Sequence, residues 1–97
     1  MDKKNIFKEK FKRILIKNDK EYTKDRRNLF NLFLNSRLLA KNEIFDKLIK
    51  AGKSDRASIY RNLELFIELH ILNKFSLLGV DCYELGIEFK NKVIYLA

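Results

Sequence analysis

Apolar residues recur at helical spacing through the first two thirds of the chain and then alternate, so the pattern predicts four helices followed by strands. Ile6, Phe7, Phe11, Ile14 and Leu15 fall on one face of a first helix over roughly residues 3–17, broken by Asn18-Asp19-Lys20. Thr23 is placed to cap a second helix, its hydroxyl accepting from amides of the first turn. Leu29, Phe30, Phe33 and Leu34 form its buried stripe, and it should end near Asn35-Ser36. A third helix presents Ile44, Phe45, Leu48 and Ile49 inward and stops before Gly52, which readily takes the left-handed conformation. Ser54 is the expected cap of the fourth, with Asp55 in its first turn complementing the helix dipole. That helix runs to about Leu69 with Ile59, Leu63, Phe66 and Ile67 inside. Tyr60 lies at the edge of this stripe, and Ala57, Arg61 and Glu64 lie outside.

Beyond Leu72 the period becomes that of strands. Lys74–Leu78 and Cys82–Leu85 flank Gly79-Val80-Asp81, which reads as a hairpin turn. Ile87–Lys90 and Val93–Leu96 form either a second hairpin or one extended strand. Four helices followed by a two-stranded hairpin is the order of a winged helix-turn-helix. The expected class is therefore mainly α with a small β-wing. Residues 1–97 are read as one domain. It comprises a basic N-terminal helix (1–20), a helical core (23–72) holding a recognition helix (54–69), a wing (73–86) and a C-terminal strand segment (87–97).

Length and composition agree with one soluble globular domain: 97 residues, 46% hydrophobic and 35% charged. No apolar run is long enough to span a bilayer, and the charged N-terminus does not resemble a secretory signal, so a cytoplasmic location is expected. A single cysteine, Cys82, excludes an internal disulfide. With one histidine, His70, no Cys/His cluster for zinc is available. Calcium-loop spacing, phosphate-cradling glycine motifs and a nucleophile elbow are all missing, which argues against an enzyme and against a bound cofactor. The net charge of +8 is uneven: residues 1–27 hold eleven basic and five acidic side chains, the remainder ten and eight. A basic arm on a near-neutral body suits a polyanion, nucleic acid ahead of a membrane surface. A lysine-rich solvated face is the bland account of the same charge.

Residues 54–72, S-D-R-A-S-I-Y-R-N-L-E-L-F-I-E-L-H-I-L, resemble the recognition-helix segment of the ferric uptake regulator family, A-T-V-Y-R-T-L followed by an apolar run. Thr23-Lys24-Asp25-Arg26 is similar to the T-x-x-R that opens the family's second helix. Asn42 to Leu48 is similar to its E-E-I-Y-x-x-L third helix, and Gly79 to Glu84 to its wing turn and returning strand. The resemblance covers about residues 10–85. Ser58 replaces the usual threonine, Ala40 the usual Ser/Thr cap, and His70 the glycine that ends the helix. Family members continue into a dimerisation domain with His, Cys and acidic metal ligands. The one His and one Cys present here cannot rebuild those sites, so no metal ligand and no iron or zinc sensing is expected.

The resemblance implies double-stranded DNA as partner, with a base contact from Tyr60 and a phosphate contact from Arg61. The ring and hydroxyl of tyrosine suit thymine methyls and base edges, and the arginine fork suits phosphate or guanine. A tyrosine filling the core edge and an arginine paired on its own helix are the structural alternatives. Arg56, Ala57 and Ser58 line the same turn. Arg26, Arg27, Lys8 and Lys12 are phosphate candidates, of which only Arg26 matches a family position. The wing turn has no basic residue, so its contacts should be weak. Cys82 and His70 read as a strand residue and a helix terminator, and Phe30, Phe33, Phe45 and Phe66 as core. The expected function is a sequence-specific transcription regulator, a repressor acting as a homodimer, with Val93, Ile94, Tyr95 and Leu96 the candidate pairing surface. The alternatives are a winged-helix protein-interaction or antagonist module from a mobile element, in which Asp55, Glu64 and Glu68 would serve, or a replication-initiator fragment.

Overall fold

The computed structural model describes residues 3–89. Four helices, α1 (Lys3–Lys17), α2 (Lys24–Asn35), α3 (Lys41–Lys50) and α4 (Arg56–Glu68), pack against a small sheet of β1 (Leu38–Ala40), β2 (Leu72–Leu77) and β3 (Val80–Leu85). The sheet is antiparallel in the order β1-β3-β2, with Leu39 opposite Tyr83 and Phe75 opposite Cys82. This is the expected winged helix-turn-helix. β1 was not foreseen, because three residues with one buried side chain carry no readable alternation.

Local chemistry sets the helix ends. Asn18 donates to the Ile14 carbonyl, and Asp19 turns left-handed at φ 58° so that the Lys20 amide reaches the Leu15 carbonyl at 2.8 Å. Thr23 caps α2 as expected, accepting from the Arg26 amide. Ala40 precedes α3 without a side-chain oxygen. The Glu43 carboxylate reaches back to the Ala40 amide at 2.9 Å instead, the surviving half of a capping box. Gly52 ends α3 at φ 65°, and His70 ends α4 at φ 61°, where the Ile71 amide closes on the Phe66 carbonyl at 2.8 Å.

Several expectations are corrected. The cap of α4 is Asp55, whose carboxylate accepts from the Ser58 amide at 2.8 Å, and the helix begins at Arg56. Ser54 turns away and its hydroxyl lies 3.4 Å from an Asp25 carboxylate oxygen. Ile6 is 45% exposed and Ile49 39%, so the buried stripes of α1 and α3 are narrower than their apolar spacing suggests. The wing turn is the tight pair Leu78-Gly79, with Leu77 opposite Val80, rather than residues 79–81. Ile87–Phe89 is a single 3-10 turn, not a strand. It delivers Phe89 into the core against Phe7 and Phe30, at ring distances of 5.6 and 5.1 Å. Val93–Leu96 lie outside the described residues.

The core is aromatic where α1, α2 and α4 meet. Phe11 stacks on Phe30 with centroids 4.2 Å apart and planes 2° from parallel, and Phe66 meets Phe11 edge-on at 5.3 Å. Phe30, Phe33, Phe45 and Phe66 are all buried, as expected of core. The wing tip is the opposite case. Leu78 is 97% exposed and holds φ 52° beside Gly79 at φ 79°. A turn with two positive φ values favours Asn, Asp or Gly, and the left-handed conformation costs a leucine about 1 kcal/mol or more. Leu78→Asn should therefore raise stability by about 1 kcal/mol in a urea titration. A lowered midpoint would show that Leu78 makes a packing contact after all.

Candidate nucleic-acid interface

Helix α4 turns Ile59, Leu63 and Phe66 into the core, which leaves Ala57, Tyr60, Arg61 and Glu64 as an exposed outer stripe at helical spacing. Arg56 is exposed in the first turn and Ser58 is half-buried beside it. The structure thus brings together five of the expected site residues, Arg56, Ala57, Ser58, Tyr60 and Arg61, on one helix surface.

These side chains are held rather than loose. The Asp55 carboxylate accepts from the Ser58 amide, and the Arg61 guanidinium donates to the Ser58 hydroxyl at 3.3 Å. The Ser58 backbone and hydroxyl, with help from Arg61, hold the Asp55 carboxyl below its ordinary value, so the cap keeps its charge down to acid pH. Tyr60, 45% exposed, rests edge-on against Phe45 of α3 at 5.2 Å, and the Arg56 guanidinium lies over the Phe45 ring, 5.3 Å from its centroid.

Lys41 was not among the expected residues. Its ammonium sits 4.5 Å from the centroid of the Tyr60 ring. Tyr60 is the main cause that holds the lysine above its ordinary value, with smaller contributions from Tyr83 and Asp81. No sequence signal marks this position, since α3 and α4 meet only in the fold. Tyr83 beneath is buried, and burial pushes its phenol up.

A second basic cluster forms around Tyr22. The Arg27 guanidinium and the Lys12 ammonium lie 5.2 and 5.6 Å from its ring centroid, and Lys8 is exposed one turn before Lys12 on α1. Arg26 is placed differently: it is partly buried, its Nε donates to Asn62 Oδ1 at 3.1 Å and its Nη1 to the Glu21 carbonyl at 2.8 Å. Asn62 is the buried polar side chain of α4, so Arg26 ties the start of α2 to α4. On the wing, Lys74 pairs with Asp81 at 3.8 Å and the tip carries only apolar side chains. Cys82 is buried in β3. Among the described residues no group of His, Cys, Asp and Glu gathers as a metal site, and no helix is long and apolar enough to cross a membrane.

No known family and no curated protein is matched at the level of sequence. Among solved structures the chain is similar to the ferric uptake regulator of Francisella tularensis, determined with iron. The identity is 28% and the TM-score 0.62, covering 69% of this chain and 54% of that one. It is also similar to the regulator of Vibrio cholerae, whose structure shows a rearrangement of its DNA-binding domains, at 21% identity and a TM-score of 0.68 over 79% and 62% of the two chains. The Pseudomonas aeruginosa regulator, determined with manganese, matches at 21% identity and a TM-score of 0.62 over 73% and 56%. The chain spans between 54% and 62% of the length of these regulators, and over that span it has their winged-helix fold.

Proposed function

We propose that this chain is a sequence-specific transcription regulator that binds double-stranded DNA as a homodimer, with α4 in the major groove, and represses by occupying its site. The observation that carries this reading is the outer face of α4, where Tyr60 and Arg61 stand exposed with Arg56, Ala57 and Ser58 on a capped helix of a winged-helix fold. Tyr60 would meet a thymine methyl or a base edge, and Arg61 a phosphate or a guanine. Arg27, Lys12 and Lys8 would neutralise phosphates. Arg26 would do the same from a guanidinium already anchored on Asn62, which trades mobility for position. One domain of this size makes few base contacts, so two copies on a palindrome supply the affinity, with Val93, Ile94, Tyr95 and Leu96 as the candidate pairing segment. The likeness to ferric uptake regulators supports the regulator class. Metal sensing is not part of the proposal, because one His and one Cys do not make such a site.

The test is fluorescence anisotropy on random-sequence duplex DNA over a salt series, comparing the wild type with Arg61→Ala. Affinity should fall steeply and log-linearly with salt, drop about tenfold in the variant, and saturate at two chains per site on a selected palindrome. Absence of binding at low salt would retire the DNA reading. The exposed Glu64 and Glu68 on the same helix would then make a protein partner the better account.

A further inference from the structure

Lysine at the first position of a helix is locally a poor choice, since the N-terminus carries the positive end of the helix dipole and favours acidic side chains. Lys41 occupies that position in α3. Neither the capping of α3, done by Glu43, nor its buried stripe of Ile44, Phe45 and Leu48 has any use for a cation there. What Lys41 does touch is Tyr60, which belongs to the reading helix. Four side chains form a continuous ladder across α3 and α4: the Arg56 guanidinium over Phe45, Phe45 against the Tyr60 ring, and the Tyr60 ring under the Lys41 ammonium. Cations thus bracket an aromatic pair whose exposed member is the proposed base reader. A residue that breaks a local helix rule and gains in return only a surface cation–π contact is the kind expected at a functional surface.

We propose that Lys41 is a specificity-determining residue of the DNA face: its ammonium fixes the Tyr60 ring in its reading orientation and neutralises the backbone phosphate beside the base that Tyr60 reads. This rests on the DNA-binding reading above and deepens it. A ring held between Phe45 and a cation has lost its rotational freedom before DNA arrives, so the ordering cost of its base contact is already met. An ammonium has three donors. Contact with the ring face engages the charge without consuming all of them, which leaves N–H groups for a phosphate oxygen. Lys41 also lies between α4 and the wing: it follows Ala40, which pairs with Cys82 of β3, and its ammonium reaches Tyr60 of α4. A phosphate held there would sit where helix and wing converge.

Anisotropy titrations of the full chain test this, using random-sequence duplex and the tightest duplex recovered from a randomised pool. Wild type, Lys41→Gln, Lys41→Arg and Tyr60→Ala, and the Lys41→Gln/Tyr60→Ala double variant, are compared. Lys41→Gln should reduce the log-log salt slope by about 0.9, the mark of one lost phosphate contact. It should also lower the ratio of selected to random binding by about tenfold, while Lys41→Arg keeps most of both. In the Tyr60→Ala background the loss of ratio should largely vanish while the loss of slope remains, because only the first acts through the ring. Loss of the ring contact and relief of the helix-dipole clash oppose each other, so the melting temperature of Lys41→Gln should move by no more than a few degrees and misfolding cannot imitate these effects. If the wild type binds DNA and Lys41→Gln leaves slope and ratio unchanged, the inference about Lys41 is overturned while the DNA reading stands. If the wild type binds neither duplex, the DNA reading fails and takes this role of Lys41 with it.

Discussion

Gly86→Ala is expected to be the most damaging of the glycine-to-alanine changes at positions 52, 79 and 86, lowering stability by about 3 kcal/mol in urea or thermal unfolding. A Cβ at this position would stand 2.3 Å from the His70 carbonyl oxygen, with the His70 carbonyl carbon and the Ile71 carbonyl oxygen both at 3.3 Å. The obstruction is backbone, and that backbone is pinned. His70 is held left-handed by the closure of Ile71 on Phe66, and the Gly86 amide donates to the Ile71 carbonyl at 2.8 Å. Relief requires the base of the wing to lift from the end of α4, which loosens buried Leu85 and Phe89 on either side. Gly79→Ala is the control. Its Cβ would meet open space, so only the cost of φ 79° applies, about 1 kcal/mol. Equal losses at the two glycines would show that the wing base adapts and that close approach is not what glycine serves at position 86.

Phe11→Ala should cost about 3–5 kcal/mol, a large part of the 5–15 kcal/mol typical of a domain. Its ring is 1% exposed and is shared by three aromatic neighbours: stacked on Phe30, and edge-on to Phe66 and to Tyr22 at 5.9 Å. Truncation leaves a cavity bounded by rigid rings on α2 and α4, which cannot collapse to fill it. The denaturation midpoint should fall steeply. Ile6→Ala, on the exposed side of the same helix, should change stability by no more than about 0.5 kcal/mol. A Phe11→Ala loss below 1 kcal/mol would mean that α1 is an appended helix rather than part of the core.

Most of the helical scaffold was legible because helices are specified by neighbours in sequence. The stripes of Phe11 and Leu15, of Leu29, Phe30 and Phe33, and of Ile59, Leu63 and Phe66 recur at three and four residues, and each is buried. Thr23, Gly52 and His70 act within a single turn, so their roles could be read without a fold. The same logic fails where two local solutions compete. Ser54 and Asp55 are both good caps, and the carboxylate takes the position while the hydroxyl turns to Asp25, 29 residues away. Ile87–Phe89 has strand-like composition, but the burial of Phe89 against Phe7 and Phe30 bends it into a turn.

The candidate site divides in the same way. Tyr60, Arg61, Arg56, Ala57 and Ser58 were predictable because the face opposite an apolar helical stripe must look outward. Lys41 was not, and neither was the anchoring of Arg26. The role of Arg26 depends on Asn62, 36 residues away, and that of Lys41 on a tyrosine of another helix. β1 likewise exists only because β3 returns to pair with it, Leu39 against Tyr83. Sequence alone therefore determined the periodic elements, their local ends and the outward face of α4, all consequences of short-range geometry. The tertiary structure decided the third strand, the anchoring of Arg26 and the Lys41–Tyr60 contact, since no repeat in the chain encodes which distant side chains the packing of four helices brings within a few ångströms.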